Sequence, residues 1–399
     1  MDSARQAPER VASTALILML AAVTAIGPFS MHALAPALPF LSTDFEVPAA
    51  LAQLMLSLSL VAMAVFNLVW GPLSDRYGRK PMLLTGLALG AVGSAVAALA
   101  PEIWTAVLGR LMQAAGAAAG MVLARAVAQD MFGPSKAAGV IGQITAVMVA
   151  APMLAPTIAG FVIDGGGWRA VFWMSAGLCI LLLVWSRASL VETAPKGTTA
   201  AGIGDLLRGF VIVGQRRVFW RYAGFSAFSL AGFYYFVAVA PYVMREAFDQ
   251  GPKAYGFYFM LLSGTYMFTN FIAGRVSARF GGERVMNFGA LLTLAGPLIV
   301  AGLLLSDVHH PLVLFLPGMI QSFGAGLATP QSMAGAVGSA PDRAGAASGL
   351  LGFSQFLVAS ITTQIAGFLP HEQAMVVPLG MGACLLLSVS MLFLLKPSR

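Results

Sequence analysis

Gly71-Pro72-Leu73-Ser74-Asp75-Arg76-Tyr77-Gly78-Arg79-Lys80-Pro81 is a short polar stretch set between two apolar runs. A degraded copy of it, Gly274-Arg-Val-Ser277-Ala-Arg279-Phe280-Gly281, stands 203 residues further on. Other echoes keep nearly the same offset. Gln113-Ala-Ala-Gly116-Ala117 matches Gln321-Ser-Phe-Gly324-Ala325. Lys136-Ala137 and Ile158-Ala-Gly-Phe161 match Arg343-Ala344 and Ile365-Ala-Gly-Phe368 at one offset of 207. Several matches at offsets so close to one another mark a chain built from two copies of one unit.

Working outward from those repeats, the medium in which the chain folds follows from its composition. Of 399 residues, 58% are hydrophobic and 10% charged, where a soluble domain carries about 25% charged residues. This excludes a soluble globular enzyme, a disordered chain and a fibre. A membrane-crossing helix needs roughly 20 apolar residues. Apolar runs long enough to cross fall at 12–40, 51–70, 82–100, 104–128, 136–163, 168–190, 218–244, 254–279, 285–305, 311–335, 344–369 and 374–395. The fold class is therefore an all-α membrane protein of twelve helices in two pseudo-symmetric six-helix bundles, 1–190 and 218–399. The polar stretch 191–217, with Pro195, Lys196 and Gly197, links them and carries a short amphipathic helix around Ile203–Val213. Arg5 and Arg10 precede an apolar run too long for a signal-peptide core, so that run reads as the first span.

The net charge of +7 does not point to nucleic acid, because the cations are spread along the chain at span ends. With a cytoplasmic N-terminus, nineteen Lys and Arg fall on the cytoplasmic side and three, Arg169, Arg245 and Lys253, on the other, with Arg110 left inside a span. That bias sets a cytoplasmic N- and C-terminus. Cys179 and Cys384 lie inside apolar runs, so a disulfide framework is not expected. Two parallel halves are the arrangement of one large secondary-transporter class, whose site lies between the halves and is reached alternately from each side.

The Gly71–Pro81 stretch resembles the signature loop between helices 2 and 3 of the major facilitator superfamily, and the resemblance extends over the whole chain. It implies a gating role for Gly71, Asp75, Arg76, Gly78 and Arg79, with glycines making tight turns and Arg79 paired to an acid at the end of helix 4. Asp130 occupies that place. Gly109-Arg110-Leu-Met-Gln113 is similar to the superfamily's helix 4 arginine motif. Arg110 lies six residues inside Trp104, about 9 Å below the outer interface. Facing lipid there would cost at least about 2.5–3.5 kcal/mol. It is expected to face a wet cavity or a partner, with snorkelling to the interface as the alternative. Arg125 is assigned to the Asp130 charge cluster. In helix 5, Pro152, Pro156 and Gly160 sit in a stretch that resembles the antiporter motif of drug exporters, with alanine at two of its glycines. Its prolines are expected to bend the helix.

Helix 1, Gly27-Pro28-Phe29-Ser30-Met31-His32-Ala-Leu-Ala-Pro36, resembles the Bcr/CflA drug exporters, a family that includes phenicol and bicyclomycin exporters. Phe225–Pro241 and Gly352-Phe353-Ser-Gln355-Phe356 resemble that family's helices 7 and 11. The family has aspartate where this chain has His32, and that aspartate is its expected proton-responsive group. All sixteen Asp and Glu fall in loops or at span ends. His32 can carry the proton instead, since imidazole titrates near pH 6.5; a neutral, hydrogen-bonded histidine in a packed helix is the competing reading. A cavity with Arg110, His32 and no carboxylate suits neutral or weakly anionic lipophilic compounds. Its expected lining is Phe29, Met31, His32, Arg110, Gln113, Phe233, Tyr234, Tyr235 and Gln355.

Nothing supports catalysis: no metal-ligand cluster, phosphate-binding loop or nucleophilic triad is evident, and His309-His310 reads as a surface pair. No cofactor or metal is expected, and a proton gradient is the energy source. The expected function is efflux of antibiotics or other small molecules from a bacterial inner membrane by proton antiport, as a monomer in the lipid bilayer without nucleic-acid partners. A metabolite importer or uncoupled facilitator, and a transporter-like sensor that moves nothing, are the competing functions. The helix 5 motif speaks against the first and the intact loop against the second.

Overall fold

The computed structural model describes residues 3–194 and 203–395, and for 3–13, 134–136, 138 and 203–207 the backbone alone. The expected linker residues Pro195, Lys196 and Gly197 lie outside the described residues. Every regular element in the described part is helical.

Helix α1 (Ser3–Leu34) passes through a 3₁₀ turn at Ala35–Ala37 into α2 (Leu38–Asp44). Pro36 and Pro39 cause the change of helix type, because neither ring nitrogen can donate to the preceding turn. Then come α3 (Ala49–Tyr77), α4 (Arg79–Ala98) and α5 (Ile103–Ser189). The last is broken at Gly133 (φ 67°) and Gly167 (φ 73°) into three legs, 103–132, 134–166 and 168–189. Left-handed backbone there falls to glycine because a Cβ would crowd the next carbonyl. By contrast, the backbone stays helical through Pro152 and Pro156. Helix α6 (Ile203–Gly214) coincides with the expected linker helix.

The second half comprises α7 (Arg217–Glu246), α8 (Pro252–Phe280), α9 (Gly282–Leu305), α10 (Leu312–Gly338), α11 (Ala344–Ala366) and α12 (Val376–Leu394). Ten stretches are long and apolar enough to cross a membrane. One of them, Gly139–Ser189, is 51 residues long and folds back at Gly167, so it crosses twice. Helix α8 is 29 residues long, and Tyr255, Ser263, Asn270 and Arg275 dilute its hydropathy. With these two, twelve helices cross.

The helices gather into one set from α1 to α5 and another from α7 to α12. Within each set, glycines bring backbones together. A Cβ on Gly93 or Gly109 would lie within 3 Å of the facing α5 or α4 backbone, and a Cβ on Gly289 or Gly324 would do the same between α9 and α10. Small residues at such contacts drive helix association in lipid, where no hydrophobic effect operates between helices. Between the sets, α3 packs on α11 and α5 on α8.

Candidate functional site

The site grows from the last turns of α1 and the middle turns of α7, which meet across the two halves. His32 is buried, and its Nδ1 lies 2.8 Å from the Pro28 carbonyl one turn earlier. Its Nε2 has no partner within hydrogen-bonding distance. The ring sits among Phe233, Tyr234 and Phe259, with centroids 5.6, 5.8 and 6.0 Å away. Of these, His32, Phe233 and Tyr234 border a cavity of about 240 Å³ between the halves.

Pro28 and His32 form one wall of that cavity; Met121, Met148 and Pro152 of α5 form the next. Ser226, Ser229, Phe233 and Tyr234 come from α7, Ser263 and Tyr266 from α8, Gln321, Ser322 and Thr329 from α10, and Gln355 from α11. Gln355 Nε2 donates to Ser226 Oγ at 2.6 Å. No aspartate, glutamate, lysine or arginine lines the cavity. Hydroxyls, amides and one imidazole are spaced over an apolar and aromatic surface, the usual make-up of a small-molecule site.

His32, Phe233, Tyr234 and Gln355 are thus brought together as the sequence led one to expect, and Arg110 is not. Arg110 is 1% exposed and lies behind the wall. Its Nη1 donates to Gln113 Oε1, Nη2 approaches Met31 Sδ at 3.3 Å, and Nε reaches the Met55 carbonyl at 3.5 Å. The guanidinium has found partners, not a wet chamber. Met31 and His32 are consecutive on a helix and so point about 100° apart, one toward Arg110 and the other into the cavity. Gln113 is occupied with Arg110, and Phe29 packs in the core beside the cavity. Tyr235 turns away and donates to the Val376 carbonyl at 2.9 Å. These five residues, expected in the lining, do not border the cavity.

Arg125 also departs from expectation. Its Nη2 lies 3.8 Å from Met148 Sδ, and none of the ion pairs among the described residues includes it. It stands five positions before Asp130, which places the two about 140° apart around the helix. Arg125 therefore stands beside Met148 of the cavity wall, away from the charge cluster.

That cluster forms on the face bearing the Gly71–Pro81 loop. Arg79 Nη1 lies 2.5 Å from Asp75, and its Nε lies 3.0 Å from Asp130. Ser74 Oγ accepts from Arg79 at 2.6 Å. Glu192, which sequence reading passed over, accepts from the backbone N–H groups of Arg79 and Lys80 at 2.8 and 3.2 Å, capping α4. Burial raises the pKa of the Glu192 carboxyl, but the backbone N–H groups of Ala194, Arg79, Thr193 and Lys80 outweigh it and hold the group below its ordinary value. Of the two loop glycines, only Gly78 (φ 100°) makes a turn; Gly71 and Pro72 continue helix α3. Arg76 stays exposed and stacks on Tyr77 with 5.1 Å to the ring centroid. Across the other half of this face, Arg216 pairs with Asp342 at 2.8 Å and Arg221 with Glu283 at 2.6 Å. Each of these pairs lies within one half.

On the opposite face the halves are joined to each other. Tyr242 donates to the Leu38 carbonyl at 3.1 Å and Gln53 to the Ala238 carbonyl at 2.8 Å. Ser57 donates to Gln364 at 2.7 Å, and Gln364 in turn donates to the Ala50 carbonyl at 2.9 Å. Lys253 pairs with Asp164 at 3.0 Å. The helix 5 motif belongs to this seam. Thr157 donates to the Gly256 carbonyl at 2.9 Å, and Gly160 meets the Pro252 and Lys253 backbone so closely that a Cβ would lie 2.7 Å from the Pro252 oxygen. Pro152, in the same motif, faces the cavity. The cavity is thus shut off from the opposite face.

The family model described as Major Facilitator Superfamily matches residues 18–363 and 227–399. A bicyclomycin resistance protein homolog of Haemophilus influenzae is 26% identical, the match covering 94% of each chain. A chloramphenicol resistance protein of Pseudomonas aeruginosa is 27% identical, over 92% of this chain and 87% of its own. The xylose transporter XylE of Escherichia coli, in a partially occluded inward open conformation, superposes with a TM-score of 0.77 at 14% identity, over 96% of this chain and 98% of its own. That last likeness concerns the fold alone.

Proposed function

This chain belongs to the major facilitator superfamily, and from that premise we propose that it exports small lipophilic compounds, uncharged or weakly anionic, across a bacterial inner membrane. The charge bias puts the Gly71–Pro81 face in the cytoplasm, so the cavity is closed toward the outside and loads from within. The observation that carries the reading is the wall of that cavity, with an imidazole, hydroxyls, amides and aromatic rings and no carboxylate to hold a cation. The bicyclomycin and chloramphenicol resistance proteins among its relatives support the direction and the class of cargo.

His32 takes the proton-carrying role in this reading. Its free Nε2 faces the cavity and accepts a proton from the outer side when the halves rock, and a loaded substrate competes with that proton for the same space. Phe233 and Tyr234 stack on the substrate, Gln355 and Ser226 supply hydrogen bonds, and Arg125, exposed beside Met148, disfavours cations. The Asp75–Arg79–Asp130 group braces the N-terminal half while the seam opens and closes.

The test is transport in proteoliposomes under an imposed pH gradient, with wild type, His32→Ala and His32→Asp compared. Gradient-driven movement of a phenicol by wild type, lost in His32→Ala and regained in His32→Asp, is the expected result. Gradient-indifferent movement in wild type would remove the proton from the scheme, and clear preference for cationic dyes would overturn the substrate class.

A further inference from the structure

The C-terminal half carries a second hollow, separate from the central cavity. It is a groove of about 400 Å³ where α7, α11 and α12 meet. Gly224, Ala227 and Phe228 form its floor, and Val358, Met391 and Leu395 form its sides. The hydroxyl of Ser354, which also borders it, is turned back to the Leu351 carbonyl at 2.9 Å. The groove is therefore apolar along its length. Exposed Leu394 and Val218 beside it mark a flank that lipid covers.

Its mouth is different. Arg217 and Trp220 close the end at the Gly71–Pro81 face. Trp220 is held by its indole N–H, which donates to the Gly214 carbonyl at 2.7 Å. The arginines on either side are engaged, Arg216 with Asp342 and Arg221 with Glu283. Arg217 is exposed, and none of the ion pairs found among the described residues includes it. From Arg217 to Phe228 the helix rises about 16 Å at 1.5 Å per residue. That is half of a hydrocarbon core about 30 Å thick, the depth of one leaflet.

We propose that this groove binds an anionic phospholipid, one acyl chain lying along Gly224, Ala227 and Val358 and the phosphate held by Arg217. A guanidinium suits a phosphate because its fork of donors matches two oxygens at once. An indole at headgroup depth is the usual anchor at the membrane interface, and basic pockets between helices on this face recognise anionic headgroups. The proposal is independent of what the central cavity carries.

Native mass spectrometry of the full-length protein with added phosphatidylglycerol or phosphatidylcholine tests it. Wild type retains phosphatidylglycerol in preference. Arg217→Gln lowers phosphatidylglycerol occupancy about fivefold, the worth of one basic residue at a membrane surface, and leaves phosphatidylcholine unchanged. Val358→Trp, which fills the groove, lowers both, and Arg284→Gln, a cation elsewhere on the same face, alters neither. Elution as a single species and an unchanged circular dichroism spectrum show that each variant is folded; should Val358→Trp fail that check, Arg217→Gln decides alone. Unchanged phosphatidylglycerol occupancy in Arg217→Gln, an equal fall in Arg284→Gln, or displacement of the lipid by inorganic phosphate or by a phenicol would overturn the proposal.

Discussion

Gly256→Val is the sharpest probe of how the halves meet. Gly256 sits where α8 presses on the middle leg of α5. A Cβ there would lie 2.5 Å from the Thr157 Cα and 2.8 Å from the Pro156 carbonyl oxygen. These are backbone atoms, so no side chain can swing aside and the helices must part by about an ångström. Overpacking of this kind costs typically about 1–3 kcal/mol. The cost falls only on the state in which this seam is closed, because the open state has no contact to strain. The closed-to-open ratio therefore drops by about 5- to 150-fold, since 1.4 kcal/mol is a factor of ten. Spin labels at Glu46 and Gln373, exposed on the same face and in different halves, would report this as a longer distance population by pulsed electron resonance. A distance distribution identical to that of wild type, in a protein that remains folded, would refute the reasoning.

Three further outcomes follow from the site. Arg110→Met leaves Gln113 Oε1 without its donor, while the Met55 carbonyl keeps the Ser59 hydroxyl, and should cost about 1–3 kcal/mol of stability; unfolding in detergent shows the loss while substrate affinity stays close to wild type. Gln355→Leu removes a hydrogen-bonding group from the cavity wall and should weaken a phenicol by about 0.5–1.5 kcal/mol, measured by equilibrium binding. Glu192, whose carboxyl is held below its ordinary value, stabilises the start of α4 above the usual carboxylate range. That contribution disappears as pH falls through its lowered value, so Glu192→Gln should be less stable than wild type by about 0.5–2 kcal/mol near neutrality and converge with it in acid, followed by thermal unfolding across pH.

Much of the fold was legible in the sequence because lipid imposes a one-dimensional rule. Each crossing helix must satisfy its own backbone and present apolar side chains, so run lengths, cation bias and internal repeats suffice. The rule blurs at α8, where Tyr255, Ser263 and Asn270 face protein instead of lipid. The cost of burying Arg110 showed that it needs a partner, but identifying Gln113 and Met31 required knowing which way each helix is rotated. The same limit separates His32 from Met31 and Tyr234 from Tyr235, neighbours in sequence that face different surroundings. Glu192 was hidden for another reason. It caps α4 from more than a hundred residues away, and no local pattern announces such a contact.

The glycine pairs that join α4 to α5 and α9 to α10 have a consequence for how such a molecule diversifies. With backbone laid against backbone, each half turns as a stiff plate, and motion is confined to the joint between the plates. Side chains that colour the central chamber sit on the plates without holding them together. Exchanges among Ser226, Ser229, Ser322 or Gln355 would therefore alter the chamber's lining and leave the plates intact, whereas a single methyl at Gly93 or Gly324 would warp the plate itself.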